Sequence, residues 1–292
     1  MYIFMTRKFT LFSVLKSEDL FHPPSYFFFL IMERVMECDY PASKKNKVVH
    51  PMDCEMKEEP TNAASMNQHS LWSQWQLLDS ILPTGGFAHS YGLEAAMQSR
   101  MVNNPEELRS FVVQVLENTG SLLLPFVCCA NKSPDAATWV KLDQLLEAML
   151  TNEVSRKASM SQGSALLRVA ASVFTEIQSL QDLRQTFLGS KIVSFHHAPI
   201  FGLICGLVGF DSETTQRAYM FVTMRDVISA ATRLNLIGPL AASVLQHQVA
   251  EDAERMVQKW KDRGVEEATQ TSPLLDALQG CHAYMFSRLF CT

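Results

Sequence analysis

No run of apolar residues in this chain approaches the roughly 20 needed to cross a bilayer as a helix. The densest, Tyr26 to Met32, has seven, so no membrane span is expected. Basic residues do not dominate: 25 lysines and arginines against 30 acidic residues leave a formal charge of −5 without a dense cationic patch. That balance argues against a phosphate backbone, and so against nucleic acid, as a partner. The seven cysteines stand at 38, 54, 128, 129, 205, 281 and 291, in neither an even disulfide framework nor the CxxC pairs of a structural zinc site. A reducing, cytoplasmic setting fits that usage. Arg7, Lys8 and Lys16 ahead of the aromatic run superficially suggest a targeting peptide, but Glu18 and Asp19 intervene and the apolar stretch is short for one. Residues 1–31 read more simply as an upstream extension, with Met32 as an alternative start.

What is present is apolar content of 47% over 292 residues, enough for a sizeable core. Residues 33–66 mix charge, proline and polar side chains without helical or strand period, the composition of a solvated tail. The chain therefore divides into a disordered extension, residues 1–69, and a helical domain, residues 70–292. Leu71, Trp75, Leu78 and Leu82 open the domain at helical spacing, and Leu142, Leu145, Leu146, Met149 and Leu150 repeat the pattern. Helix starts are marked at Asn104-Pro105-Glu106-Glu107 and Ser133-Pro134-Asp135, where a cap residue is followed by proline and acid. His197-Ala198-Pro199 and Ser212-Glu213 are weaker starts of the same kind. The predicted helices span about 70–81, 89–101, 105–130, 134–151, 153–178, 180–188, 199–209, 213–235, 239–262 and 273–288. Nothing from Ser70 onward alternates like a strand, and the connections are short, so an all-α single bundle of about ten helices is expected.

Four segments could carry chemistry. In Leu82-Pro83-Thr84-Gly85-Gly86-Phe87-Ala88-His89-Ser90-Tyr91-Gly92-Leu93-Glu94 one helix ends and another begins. Ala88-His89-Ser90-Tyr91-Gly92 imitates a serine-hydrolase elbow, but that motif needs a buried strand before the serine, and Trp75 to Leu82 read as helix. In the plainer reading Ser90 caps the next helix while His89 and Tyr91 fill an interhelical gap. The glycines cradle no phosphate, because no Gly-Lys-Ser/Thr follows them. The second segment holds Glu153 and Arg156, spaced to pair on a helix, and Gln162-Gly163, where glycine inside a helix points to close approach of another backbone.

His196-His197-Ala198-Pro199 is the third. Adjacent histidines diverge on most backbones, whereas a paired metal site on a helix wants them four apart, so capping or packing is the simpler role. Imidazole is nonetheless a ligand that nickel accepts. The fourth is the helix running from Thr223 to Leu236. Phe221, Met224, Ile228 and Ala231 make an apolar face, and Asp226, Ser229 and Arg233 form a separate polar stripe. That stripe either solvates a surface, lines a wet cavity or meets a partner.

Taken in order, LPTGGFAHSYGLEAAM at 82–97, NEVSRKASMSQGSALL at 152–167, HHAPIFG at 196–202, SAATRLNLIG at 229–238 and SRLF at 287–290 resemble the UreF family of urease accessory proteins. The resemblance covers about residues 71–291 and implies an all-helical homodimer that binds the UreD/UreH accessory protein, recruits the GTPase UreG and docks on apo-urease. By that resemblance the chain is no enzyme and holds no stable cofactor. GTP is bound by UreG, and nickel passes transiently. Carried onto this sequence, His89, Ser90, Tyr91, Gly92 and Glu94 shape the elbow, and Glu153, Arg156, Gln162 and Gly163 the middle crossing. His197, Asp226 and Arg233 are partner-facing or passage-lining candidates. Arg288, Leu289 and Phe290 belong to a tail that orders on UreD/UreH as a helix-in-groove contact. The competing readings are a helical adaptor unrelated to nickel and a serine hydrolase using Ser90.

Overall fold

Each predicted stretch contains helix in the computed structural model, which describes residues 71–261 and 263–292. The expected extension of residues 1–69 lies outside the described residues. A helical segment at 71–78, α1, leads to a 3-10 turn at Gly86–Ala88 and then α2, Leu93–Gln98. Next come α3 (Pro105–Leu122), α4 (Leu124–Lys132), α5 (Ala136–Met149), α6 (Glu153–Val173), α7 (Gln178–Phe187) and α8 (His197–Val208). They are followed by α9 (Ser212–Arg233), α10 (Pro239–Trp260), a 3-10 turn at Val265–Glu267, α11 (Pro273–Cys281) and a last 3-10 turn at His282–Tyr284. No β-strand occurs among the described residues.

The capping chemistry explains most of the boundaries. The Asn104 side chain accepts from the Glu107 amide at 2.9 Å, with Pro105 opening α3. Asn152 accepts from Val154 ahead of α6, and Asp211 from Thr214 ahead of α9. Two expected boundaries change in an instructive way. The cap of α5 is Asp135, not Ser133, because Asp135 reaches both the Ala137 and Thr138 amides at 2.9 Å. The expected helix at 105–130 breaks at Leu123 with a 46° bend between α3 and α4. Pro125 has no amide to give the Ser121 carbonyl four residues back. That carbonyl accepts from Thr269 instead, at 3.2 Å.

Helix α8 is the hub, buried along nearly its whole length and packed against α4, α5, α6 and α9. Its mean hydropathy is high enough that no polar face remains, as a helix surrounded on all sides requires. The crossing with α6 depends on Gly163: a Cβ there would stand 2.1 Å from the Phe195 carbonyl oxygen. The backbone approach expected from a mid-helix glycine is therefore real. Helix α1 departs from its expected role, since Leu71 and Trp75 are exposed and Leu77 supplies its buried contact. The last helix also stops short of 288. It ends at Cys281, and residues 285–292 continue as a non-helical strap.

Candidate functional site

Left-handed residues bend the elbow. Gly85, Tyr91 and Gly92 have φ of 82°, 57° and 85°, the region where glycine costs nothing. Gly92 also lies against α11, where a Cβ would meet Gln279 at 3.1 Å. The turn delivers His89 and Tyr91 into a cavity of about 100 Å³ shared with Ser159, Gln162, His197 and Tyr219. Three of the four sequence segments thus meet there: the elbow, the middle crossing and the histidine pair. Thr292 lines the same space, its hydroxyl in a short hydrogen bond with His89 Nδ1.

The histidine pair divides its labour. His196 is fully buried and structural: Nε2 lies 2.8 Å from Glu147 Oε2 and Nδ1 3.1 Å from Ser159 Oγ. Its amide donates to Asp143 at 2.6 Å, as does that of Ser194 at 2.5 Å. Thus Asp143 and Glu147, one turn apart on α5, clamp the segment that carries His197. The His197 amide donates to Ser159 Oγ at 3.1 Å, and its ring packs against Phe201 and Tyr219 at centroid distances of 5.8 and 5.4 Å.

Burial, and secondarily His282, brings the His89 imidazole down to about 4. Burial likewise lowers His197 to about 4, with smaller contributions from His89 and Arg225. Both rings are neutral at neutral pH and offer one donor and one acceptor each. Burial first, and Asp226 next, hold the phenols of Tyr91 and Tyr219 protonated well above their ordinary range. The cavity therefore presents mainly uncharged polar side chains, with Asp276 the one acidic side chain among its lining residues. Among the described residues no cluster of three or more histidine, cysteine, aspartate or glutamate side chains is arranged to hold a metal ion.

Several expected roles change. Ser90 caps nothing: α2 begins after Gly92, and the Ser90 hydroxyl is buried without a hydrogen-bond partner. Without a preceding strand or a base beside the hydroxyl, the serine-hydrolase elbow is not formed. Glu153 pairs with Lys157 at 2.6 Å and Arg156 lies 3.6 Å from Glu147, so the expected Glu153–Arg156 ion pair gives way to better-placed neighbours. The expected stripe on α9 is split by burial, with Arg233 exposed, Ser229 half-buried and Asp226 enclosed. Asp226 is 1% exposed, held by Arg225 at 3.0 Å and pressed against Gly86, whereas Phe221 of the expected apolar face is 40% exposed.

Arg233 stacks over Phe87 and Phe290, 5.7 and 4.4 Å from their ring centroids. Phe290 is correspondingly buried against this chain's own domain, and Arg288 and Leu289 point outward. In the chain by itself residues 287–290 lie in a non-helical strap. Glu94, buried in the first turn of α2, accepts from the Leu289 and Phe290 amides at 2.6 and 3.1 Å and lies 3.3 Å from His282 Nε2.

Comparison with known proteins places this geometry in a family. The UreF family model matches residues 102–250. Over 221 residues the chain is 67% identical to urease accessory protein F of Arabidopsis thaliana, covering 76% of this chain and 92% of that one. The chain belongs to the UreF family. Similarity extends to urease accessory protein UreF of Paenarthrobacter aurescens, 31% identical over 226 residues, and of Trichodesmium erythraeum, 26% identical over 221. These alignments cover 74% of this chain in both cases, and 95% and 94% of the relatives.

In this UreF-family chain His89, Tyr91, Gly92, Gln162 and His197 of the cavity wall were singled out in the sequence, whereas Tyr219, Ser159, Thr292 and the Asp143–Glu147 clamp were not. Two of these left a trace. Tyr219 stands seven residues before Asp226 on the same helical face, and the clamp is an i, i+4 carboxylate pair beside buried Leu142 and Leu146. Thr292 left none, because its contact spans 203 positions.

Proposed function

We propose that this chain is a non-catalytic urease maturation factor that holds UreD/UreH and the GTPase UreG on apo-urease during GTP-dependent nickel delivery. The observation that carries this reading is the 67% identity to urease accessory protein F along nine-tenths of that protein's length. In this reading the chain works in the cytoplasm as a homodimer, binds no cofactor of its own, and leaves GTP to UreG. Nickel is cargo. The cavity bounded by His89, Tyr91, Gly92, Gln162 and His197 is the stretch of passage this chain contributes, and neutral imidazoles there suit transient contact with a borderline cation. Exposed Arg288 and Leu289 on the strap are the groups offered to UreD/UreH.

The deciding experiment reconstitutes urease activation from its components with and without this chain, and captures complexes through a tag on it. Nickel-dependent urease activity should require the chain, and UreD/UreH and UreG should be recovered with it. Activation that proceeds equally well in its absence, or a chain that captures none of these proteins, would overturn the reading.

A further inference from the structure

The strap of residues 285–292 is stapled across the elbow from several sides. Besides the two amides taken by Glu94, Gln98 Nε2 donates to the Ser287 carbonyl at 2.9 Å. The Cys291 amide donates to the Ala88 carbonyl at 2.9 Å, and the Ser90 amide to a terminal carboxylate oxygen of Thr292 at 2.7 Å. Phe290 is buried beneath Arg233, and Thr292 reaches the cavity at His89. The outer side of the strap is bare: Phe286 is fully exposed and Leu289 61% exposed.

These contacts differ in kind from those securing the rest of the cavity wall. The His196–His197 segment is fixed by α5 and α6 and by its own burial. The strap is held by a handful of hydrogen bonds and one buried aromatic ring, with no helix of its own. Segments with few buried apolar contacts open locally at a cost well below that of global unfolding. The hydrogen bonds that hold the strap fall within residues 88–98, and Glu94 and Phe290 anchor its middle, so their loss would loosen the path that brings Thr292 to His89.

We propose that residues 285–292 form a latch whose release uncovers His89 and its end of the polar cavity, while His196 stays enclosed. The proposal builds on the reading of the cavity as the working site, and assigns that site a built-in gate.

Histidine modification with diethyl pyrocarbonate, read by mass spectrometry on the purified chain, tests the gate without any urease component. Its failure is therefore separable from failure of the maturation role. In the parent chain His89 should react at least about tenfold more slowly than exposed His247, as expected for a group reached only through local opening. Phe290→Ala, and separately Glu94→Gln, should bring His89 close to the His247 rate and leave His196 slow. Persistent protection of His89 in both variants, with the Leu289 and Phe290 amides exchanging freely with deuterium, would overturn the latch. If His196 became reactive as well, the domain itself would have opened, and the parent chain then decides. There, His89 labelling should keep pace with amide exchange at Leu289, Phe290 and Cys291 as urea is added. Labelling faster than the strap opens would refute the proposal.

Discussion

The guanidinium of Arg233 lies 4.4 Å from the ring centroid of Phe290, with Phe87 on a second side at 5.7 Å. Arg233, exposed at the C-terminal end of α9, thus packs on the chain's own strap. Burial lowers its proton affinity and Asp226 partly restores it, the pattern of a partly desolvated cation. A cation over an aromatic face contributes about 0.5–2 kcal/mol depending on desolvation. Arg233→Ala should therefore lower unfolding stability by about 1 kcal/mol and speed amide exchange at Leu289 and Phe290 more than elsewhere. Arg233→Lys should fall between. Unchanged exchange along the strap would show that the stacking holds nothing.

Ser90→Ala should be nearly neutral. The hydroxyl is fully buried and has no partner, so removing it deletes an unsatisfied group and gives up no hydrogen bond. Denaturant unfolding should move by less than about 0.5 kcal/mol in either direction. A loss above about 1 kcal/mol, the usual worth of a helix cap, would mean that the hydroxyl has a partner in solution.

Gly163→Ala should be severe. The added methyl would meet the Phe195 carbonyl oxygen at 2.1 Å, and the His196 and His197 backbone within 2.9 Å, none of which can rotate aside. Alanine's helix propensity returns only about 1 kcal/mol, whereas overpacking costs about 1–3 kcal/mol and more when backbone must move. The expected outcome is a net loss of about 2 kcal/mol or failure to accumulate as soluble protein. A variant as stable as the parent would show that α6 and the histidine segment separate easily.

Acid should weaken the fold before the carboxylates titrate. His89 and His197 protonate near 4 when folded, mainly because of burial, against about 6.5 in an unfolded chain. Between those values the unfolded chain binds more protons, so stability is fully present above about pH 6.5 and falls as the pH drops toward 4. Each ring contributes up to about 3 kcal/mol across that window. Urea unfolding at pH 7 and pH 5 measures the slope, and His197→Gln should flatten it. An identical slope in that variant would rule out His197 as a source.

How much was legible beforehand depended on how local each determinant is. Caps at Asn104 and Asn152 act within three residues, and amphipathic spacing acts within one helix, so the helical class and most boundaries could be read directly. Gly163 announced a close contact by its cost, though not what it touches. Pro125 carried the break between α3 and α4, and the 105–130 reading passed over it.

By itself the sequence determined that the domain is helical, where most of its helices start, and that His89, Tyr91, Gln162 and His197 stand in segments of unusual composition, because those properties follow from neighbours along the chain. Only the tertiary structure decided that these four share one cavity and that Asp226 is buried. It also decided that Ser90 caps nothing, and that Arg233 and Glu94 serve to hold the strap. Such roles depend on which surfaces are removed from water when distant segments pack. The strap contacts its elbow partners across 195 to 203 positions, a separation at which no local periodicity or capping rule carries information.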